Sequence, residues 1–113
     1  MGAPAAAADR AATAFAGDDR YETAVLAAIQ FFPSATTVGV ASGTSFADAL
    51  AGGVHIASAG GPLLLVPQTG SLPIAVVLYL QQLQSSPPAV FLYGGSAAVG
   101  DDIAAKLQTA AGL

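Results

Sequence analysis

Hydrophobic positions along the chain alternate between two patterns, a helical spacing and short continuous apolar runs. The first helical pattern follows Asp19, and its apolar positions lie three and four residues apart, at Tyr21, Ala24, Val25, Ala28, Ile29 and Phe32. Apolar runs predict strands over residues 37–41, 63–66 and 89–93. Further helices are predicted to begin at Ser45 and to span residues 71–83 and 101–111.

Strands that alternate with helices, without hairpin signals, predict an α/β fold with an open parallel sheet covered by helices. A weaker strand is predicted near Ala14 and Phe15. The 113 residues predict one domain. We expect residues 14–113 to form it, with residues 1–13 either disordered or added at an artificial chain start.

Helix starts carry cap signals. Asp19 with Glu22 predicts a capping box, and Ser45 with Asp48 predicts a second capping pair. Ser71 is predicted to cap the third helix, with a proline in its first turn. The predicted packing face of the second helix consists of Phe46, Ala49, Leu50, Gly53 and Ala57.

The carboxyl ends of parallel strands meet at one edge, where ligands of open α/β sheets bind. We call this edge the crest; its predicted loops are residues 17–19, 42–45, 67–71 and 94–96. Arg20 lies at a helix N-terminus, where a cation opposes the helix dipole. It therefore needs either an anionic ligand or an ion pair with Asp18, Asp19 or Asp48.

The amino-acid composition excludes several classes of function. Hydrophobic residues make up 54% of the chain and charged residues 9%. Because so few charged residues cannot cover the surface of a monomer, we expect an exposed apolar patch. A net charge of -4 argues against nucleic acid, and no apolar run is long enough for a membrane span. Ser42, Asp48 and His55 do not form a triad, because His55 lies two turns beyond Asp48 on one helix. No metal or cofactor is predicted, since there is no cysteine, no acidic cluster around the histidine and no phosphate-loop motif.

Four sequence motifs, taken in their order along the chain, resemble those of a known protein family. They are residues 15–24 (FAGDDRYETA), 41–51 (ASGTSFADALA), 61–80 with GPLLL, SLP and YL, and 92–99 (LYGGSAAV). Together they resemble the cell wall-binding repeat type 2 family over residues 14–111, except that Ala14 replaces an arginine. The resemblance implies a Rossmann-like, three-layer α/β module of secreted and surface-layer proteins of Gram-positive bacteria. Such modules usually occur as three tandem copies in a pseudo-threefold unit that holds anionic secondary cell-wall polymers, whereas this chain has one copy.

We therefore expect a non-catalytic, extracellular anchor to the cell wall. Its candidate ligand-binding residues are Asp19, Arg20, Ser42, Gly43, Thr44, Ser45, Asp48, Gly94, Gly95 and Ser96. The third predicted helix is apolar on two sides, which predicts a homo-oligomer, a trimer rather than a dimer, through Ile74, Val77, Leu78 and Gln81. The alternatives are an oligomerisation module without polymer binding and an α/β domain that binds a phosphorylated metabolite.

Overall fold

The computed structural model describes residues 17, 19–94 and 99–113. Their elements, in chain order, are α1 (Arg20–Phe31), β1 (Thr37–Ser42), α2 (Phe46–Ser58), β2 (Leu63–Val66), α3 (Ile74–Gln82), β3 (Ala89–Tyr93) and α4 (Asp101–Ala111). The strands and the last helix lie within one residue of their predicted bounds. The weak strand predicted at Ala14 and Phe15 lies outside the described residues.

The three strands form one parallel sheet in the order β2-β1-β3. Register pairs Ser42 of β1 with Val66 of β2, and Ala41 of β1 with Tyr93 of β3. As the middle strand, β1 is buried from its second residue to its last. The parallel sheet and its flanking helices confirm the predicted α/β fold.

Helices cover both faces of the sheet. Helices α1, α3 and α4 share the main core with alternate residues of β1 and β2, and this core includes Val25, Val38, Val40, Leu64, Val66, Val76, Leu80, Ile103 and Leu107. Helix α2 packs on the opposite face, where Gly39 meets Ile56. The result is a three-layer sandwich.

Helix α1 begins as its cap signal predicts. Asp19 is the N-cap residue, and its Oδ1 accepts a hydrogen bond of 2.8 Å from the Glu22 N–H. Val25 and Ala28 are buried as predicted, whereas Ile29 is exposed. The capped first turn fixes the position of the residue that follows Asp19, which is Arg20.

Helix α3 is joined to Phe32, the C-cap residue of α1, by a partly buried hydrogen bond. The Tyr79 hydroxyl donates to the Phe32 carbonyl oxygen at 2.6 Å. Burial raises the pKa of Tyr79 to about 12. The phenol is therefore a neutral donor across the physiological pH range.

The predicted packing face of α2 is wrong. Its buried residues are Gly52 and Ile56, whereas Phe46 is 80% exposed and Leu50 and Ala57 are also exposed. The reason is steric: a Cβ on Gly52 would lie 2.5 Å from the Tyr93 ring. Only glycine lets α2 approach β3 this closely, so the helix turns Gly52 inward together with Ile56, and Phe46 and Leu50 face outward.

Two cap predictions also need correction. Helix α3 begins at Ile74, and its N-cap residue is Pro73 rather than Ser71. A proline disfavours helical backbone at the residue before it, which places the helix start after position 72. Ser45 does occupy the N-cap of α2, but its hydroxyl donates to Asp48 Oδ2 at 2.7 Å instead of accepting from a backbone N–H.

Candidate functional site

The crest lies where β1 passes into α2. Ser42 ends β1 beside Val66, and the Gly43 N–H continues the ladder by donating to the Val66 carbonyl oxygen at 2.9 Å. The pairing of Ala41 with Tyr93 brings Gly94 out of the sheet next to Ser42. The structure thus places Gly94, the first residue of the predicted loop after β3, beside the predicted loop after β1. Gly95 and Ser96 lie outside the described residues.

The loop from Ser42 to Ser45 is held by its own hydroxyl groups. Ser42 is 2% exposed, and its Oγ lies 2.9 Å from Thr44 Oγ1 and accepts from the Thr44 N–H at 3.2 Å. Thr44 itself is exposed. The buried serine therefore positions the loop and, within it, the exposed residue Thr44.

Arg20 reaches this loop from α1. Its Nη1 donates to the Gly43 carbonyl oxygen at 2.6 Å, and the side chain remains exposed. Meanwhile Asp48 accepts from Ser45, and Asp19 caps α1. A backbone carbonyl is thus a partner that neither sequence interpretation of Arg20 included; Asp18 lies outside the described residues. A guanidinium carries five N–H donors, so this bond leaves others for a ligand.

Gly43 lets the side chains of α1 pack closely against the β1–α2 loop. A Cβ at this position would lie 2.6 Å from Tyr21 Cε1 and 3.0 Å from Arg20 Cδ. Tyr21 was predicted only as a core residue of α1, but its ring also packs against this glycine. The signal available in the sequence was the adjacency of Arg20 and Tyr21, which places both on the first helical turn.

The crest loop after β2, residues 67–71, is joined to the start of α4 and to Lys106 through its backbone carbonyl oxygens. The Gly100 N–H donates to the Gln68 carbonyl oxygen at 2.8 Å, and Lys106 Nζ donates to the Gly70 carbonyl oxygen at 2.7 Å. Gly70 has a φ of +95°, which favours glycine. Lys106 was not predicted as a functional residue, because its place beside the β2–α3 loop depends on how α4 packs.

His55 lies away from Asp48, on the side of α2 that faces β3. Its Nδ1 is 2.7 Å from the Tyr93 hydroxyl, and its ring meets Phe91 edge-on with centroids 5.6 Å apart. Burial raises the pKa of Tyr93. The histidine and the phenol thus hold α2 against the edge strand.

The predicted oligomer residues divide into two groups. Ile74, Leu78 and Gln81 are exposed, whereas Val77 is partly buried and packs against the core. A second apolar surface, which the sequence did not predict, lies on α2 at Phe46, Leu50 and Val54.

The fold and the crest define a small α/β domain in which an exposed arginine meets the loop at the carboxyl end of the middle strand. The family model for cell wall binding domain 2 (CWB2) matches residues 14–104. The chain therefore belongs to the cell wall binding domain 2 family, and it is a cell wall binding module. Comparison with curated proteins and with solved structures finds no match. Among the described residues, no helix is long and apolar enough to cross a bilayer.

Proposed function

We propose that this domain is a non-catalytic anchor that holds a secreted or surface protein on anionic polymers of the Gram-positive cell wall. The observation that carries the proposal is the Arg20 guanidinium, which is exposed at the crest and oriented by the Gly43 carbonyl oxygen at 2.6 Å. Guanidinium groups suit phosphate and carboxylate, the anionic groups of such polymers. Family membership supplies the cell wall as the source of the ligand.

The crest residues have distinct roles in this proposal. Arg20 and the hydroxyl of Thr44 contact the polymer, with Gly43, Ser45 and Gly94 forming the adjoining backbone surface. Asp19 and Asp48 hold the two helix starts, since one caps α1 and the other accepts from Ser45. Ser42 positions Thr44. Gly95 and Ser96 belong to the proposed site by their place after Gly94 in the sequence.

The net charge of -4 opposes long-range attraction to a polyanion. Binding in this proposal therefore depends on short-range contacts at Arg20, which salt weakens less than the attraction between distant charges. Moderate salt is expected to leave polymer binding largely intact.

Sedimentation with purified Gram-positive cell walls tests the proposal. Wild-type protein should pellet with the walls, Arg20→Ala should remain largely in solution, and Arg20→Lys should recover only part of the binding because lysine lacks the planar fork. Arg10→Ala removes the same charge from the segment before the domain and should pellet like the wild type. Equal pelleting of Arg20→Ala and wild type would remove the guanidinium from the site.

The same assay separates the alternative functions. An oligomerisation module without polymer binding would stay in solution with or without Arg20. A domain that binds a phosphorylated metabolite would instead be stabilised thermally by nucleotides or sugar phosphates in the absence of walls.

We also propose that the domain self-associates. Ile74 and Leu78 of α3 are 73% and 54% exposed, and Phe46 and Val54 of α2 are 80% and 70% exposed. These two apolar surfaces belong to helices on opposite faces of the sheet, so pairing one with the other joins copies head to tail. A head-to-tail interface forms a ring where the rotation between neighbouring copies closes and an open filament where it does not, and in this proposal it closes as a trimer.

Sedimentation velocity over a range of concentrations tests self-association. Wild-type protein should sediment as an oligomer, and Leu78→Glu should shift it toward the monomer. Gln82→Glu, which adds the same charge at an exposed position of α3, is the matched control. A wild-type protein that remains monomeric at every concentration would contradict the proposal.

A further inference from the structure

A groove runs between α3 and α4, on the helical layer formed by α1, α3 and α4. Its volume is about 580 Å³, within the range of sites for small ligands, which is roughly 300 to 1,000 Å³. Leu72 and Val77 supply apolar surface, and Gln81, Lys106 and Thr109 supply polar groups. The groove shares Ser71 with the crest loop 67–71, but neither the family match nor the proposed polymer site at Arg20 assigns a ligand to it.

The charge of the groove differs from that of the chain. The protein has seven acidic and three basic residues, yet among the described residues that line the groove there is Lys106 and no carboxylate. Lys106 Nζ donates to the Gly70 carbonyl oxygen at 2.7 Å, which fixes the ammonium at one end of the groove. An ammonium has three donors, so two remain for an anionic group.

Neutral hydrogen-bonding groups accompany this cation. Among the described residues, the Ser71 hydroxyl and the Gln81 amide have no hydrogen-bond partner, and both line the groove. The Thr109 hydroxyl donates to the Ala105 carbonyl oxygen at 3.1 Å and keeps acceptor capacity. Hydroxyl and amide groups beside aliphatic surface suit a ligand that carries several hydroxyls on a C–H framework.

We propose that the α3–α4 groove binds a segment of an acidic glycan or polyol phosphate, with its anionic group at Lys106 and its hydroxyls at Ser71 and Gln81. Of the four predicted oligomer residues, Val77 and Gln81 line the groove. A second copy of this chain still fits less well, because the most exposed apolar side chains of α3, Ile74 and Leu78, lie outside the groove lining. Only the source of the ligand, a cell-wall polymer, rests on the proposed function. The groove itself is separate from Arg20.

Amide chemical-shift titration of ¹⁵N-labelled full chain tests the inference. Three probes of matched length are compared: a glycerol phosphate oligomer, an oligogalacturonate and a neutral malto-oligosaccharide. We expect one or both anionic oligomers to shift the amides of residues 71–72, 81 and 105–109, and the neutral oligomer to shift them far less. The anionic oligomer that shifts them distinguishes phosphate from carboxylate recognition. Groove amides that respond to no probe, or equally to the neutral one, would overturn the proposal.

Variants then separate the groove from the crest. Lys106→Gln should weaken binding of the anionic oligomer about tenfold, the usual effect of one charge-assisted hydrogen bond, and Lys106→Arg should retain it. Ala105→Phe should obstruct the groove, whereas Gln108→Ala, outside the groove lining, is the matched control.

Arg20→Ala should leave the groove shifts unchanged even if it abolishes pelleting with walls, so the two proposals fail independently. Unchanged affinity in both Lys106→Gln and Ala105→Phe would refute the groove site. Shifts of the same amides on raising protein concentration without a probe would assign the groove to self-association instead.

Discussion

Gly43→Ala is the sharpest perturbation of the crest, because it adds one methyl group where α1 meets the β1–α2 loop. The new Cβ would lie 2.6 Å from Tyr21 Cε1 and 3.0 Å from Arg20 Cδ. Both distances are well short of the 3.5 to 4.0 Å optimum for carbon atoms. Either the Tyr21 ring rotates and Arg20 withdraws, or the loop moves away from α1. In each case the guanidinium loses its position relative to the Gly43 carbonyl oxygen.

The expected cost follows from these contacts. Tyr21 is half-buried and Arg20 exposed, so both can move, and the overpacking cost should lie near the lower end of the usual range of about 1–3 kcal/mol. Loss of the hydrogen bond from Arg20 adds about 0.5–1.5 kcal/mol. We therefore expect unfolding free energy to fall by about 2 kcal/mol. A misplaced guanidinium should weaken wall binding about tenfold, as for one lost charge-assisted bond.

Chemical denaturation and wall sedimentation measure the two effects on the same protein. Gly53→Ala is the matched control, since its Cβ would meet only Leu63 Cδ2, at an ordinary 3.7 Å. Wild-type stability and wild-type binding in Gly43→Ala would refute the steric argument. If Gly43→Ala is less stable but binds walls as the wild type does, the steric argument holds and Arg20 is not part of the polymer site.

Three further outcomes follow from the packing. Gly53→Ala should raise the free energy of unfolding by about 0.5–1 kcal/mol, because alanine favours the helix, and denaturation would expose a contrary decrease. Gly52→Ala should instead destabilise the domain, since its Cβ would lie 2.5 Å from the Tyr93 ring; stability equal to that of Gly53→Ala contradicts this. Because burial raises the pKa of Tyr79 from 10 to about 12, the neutral phenol contributes about 3 kcal/mol of stability that is complete well below pH 10 and is lost as pH rises toward 12. Tyr79→Phe should lose about 1 kcal/mol at pH 7 and show a weaker decline between pH 10 and 12, and parallel curves for both proteins would contradict the assignment.

Continuous apolar runs made the strands predictable, because a strand buried between two helical layers needs no alternation. The last helix was predictable from its amphipathic spacing and from the glycines at its two ends. These are Gly100 and Gly112, and Gly112 has a φ of +81°. The convergence of the crest loops followed from the parallel sheet alone. The partner of Arg20 did not, because a backbone carbonyl has no signature in the sequence. The α3–α4 groove was also hidden, since it depends on the packing of two helices that are not adjacent in the chain.

The wrong prediction of which face of α2 is buried shows how small residues away from the site shape the crest. Hydropathy favoured burial of Phe46 and Leu50, but the sheet offers α2 the glycine at position 39 and the ring of Tyr93. A glycine at position 52 fits against that ring, and His55 Nδ1 lies 2.7 Å from its hydroxyl. The helix is thus set close to β1 and β3 along its middle. Its N-terminus continues directly from the loop whose carbonyl orients Arg20, so this close packing also determines where the guanidinium is held.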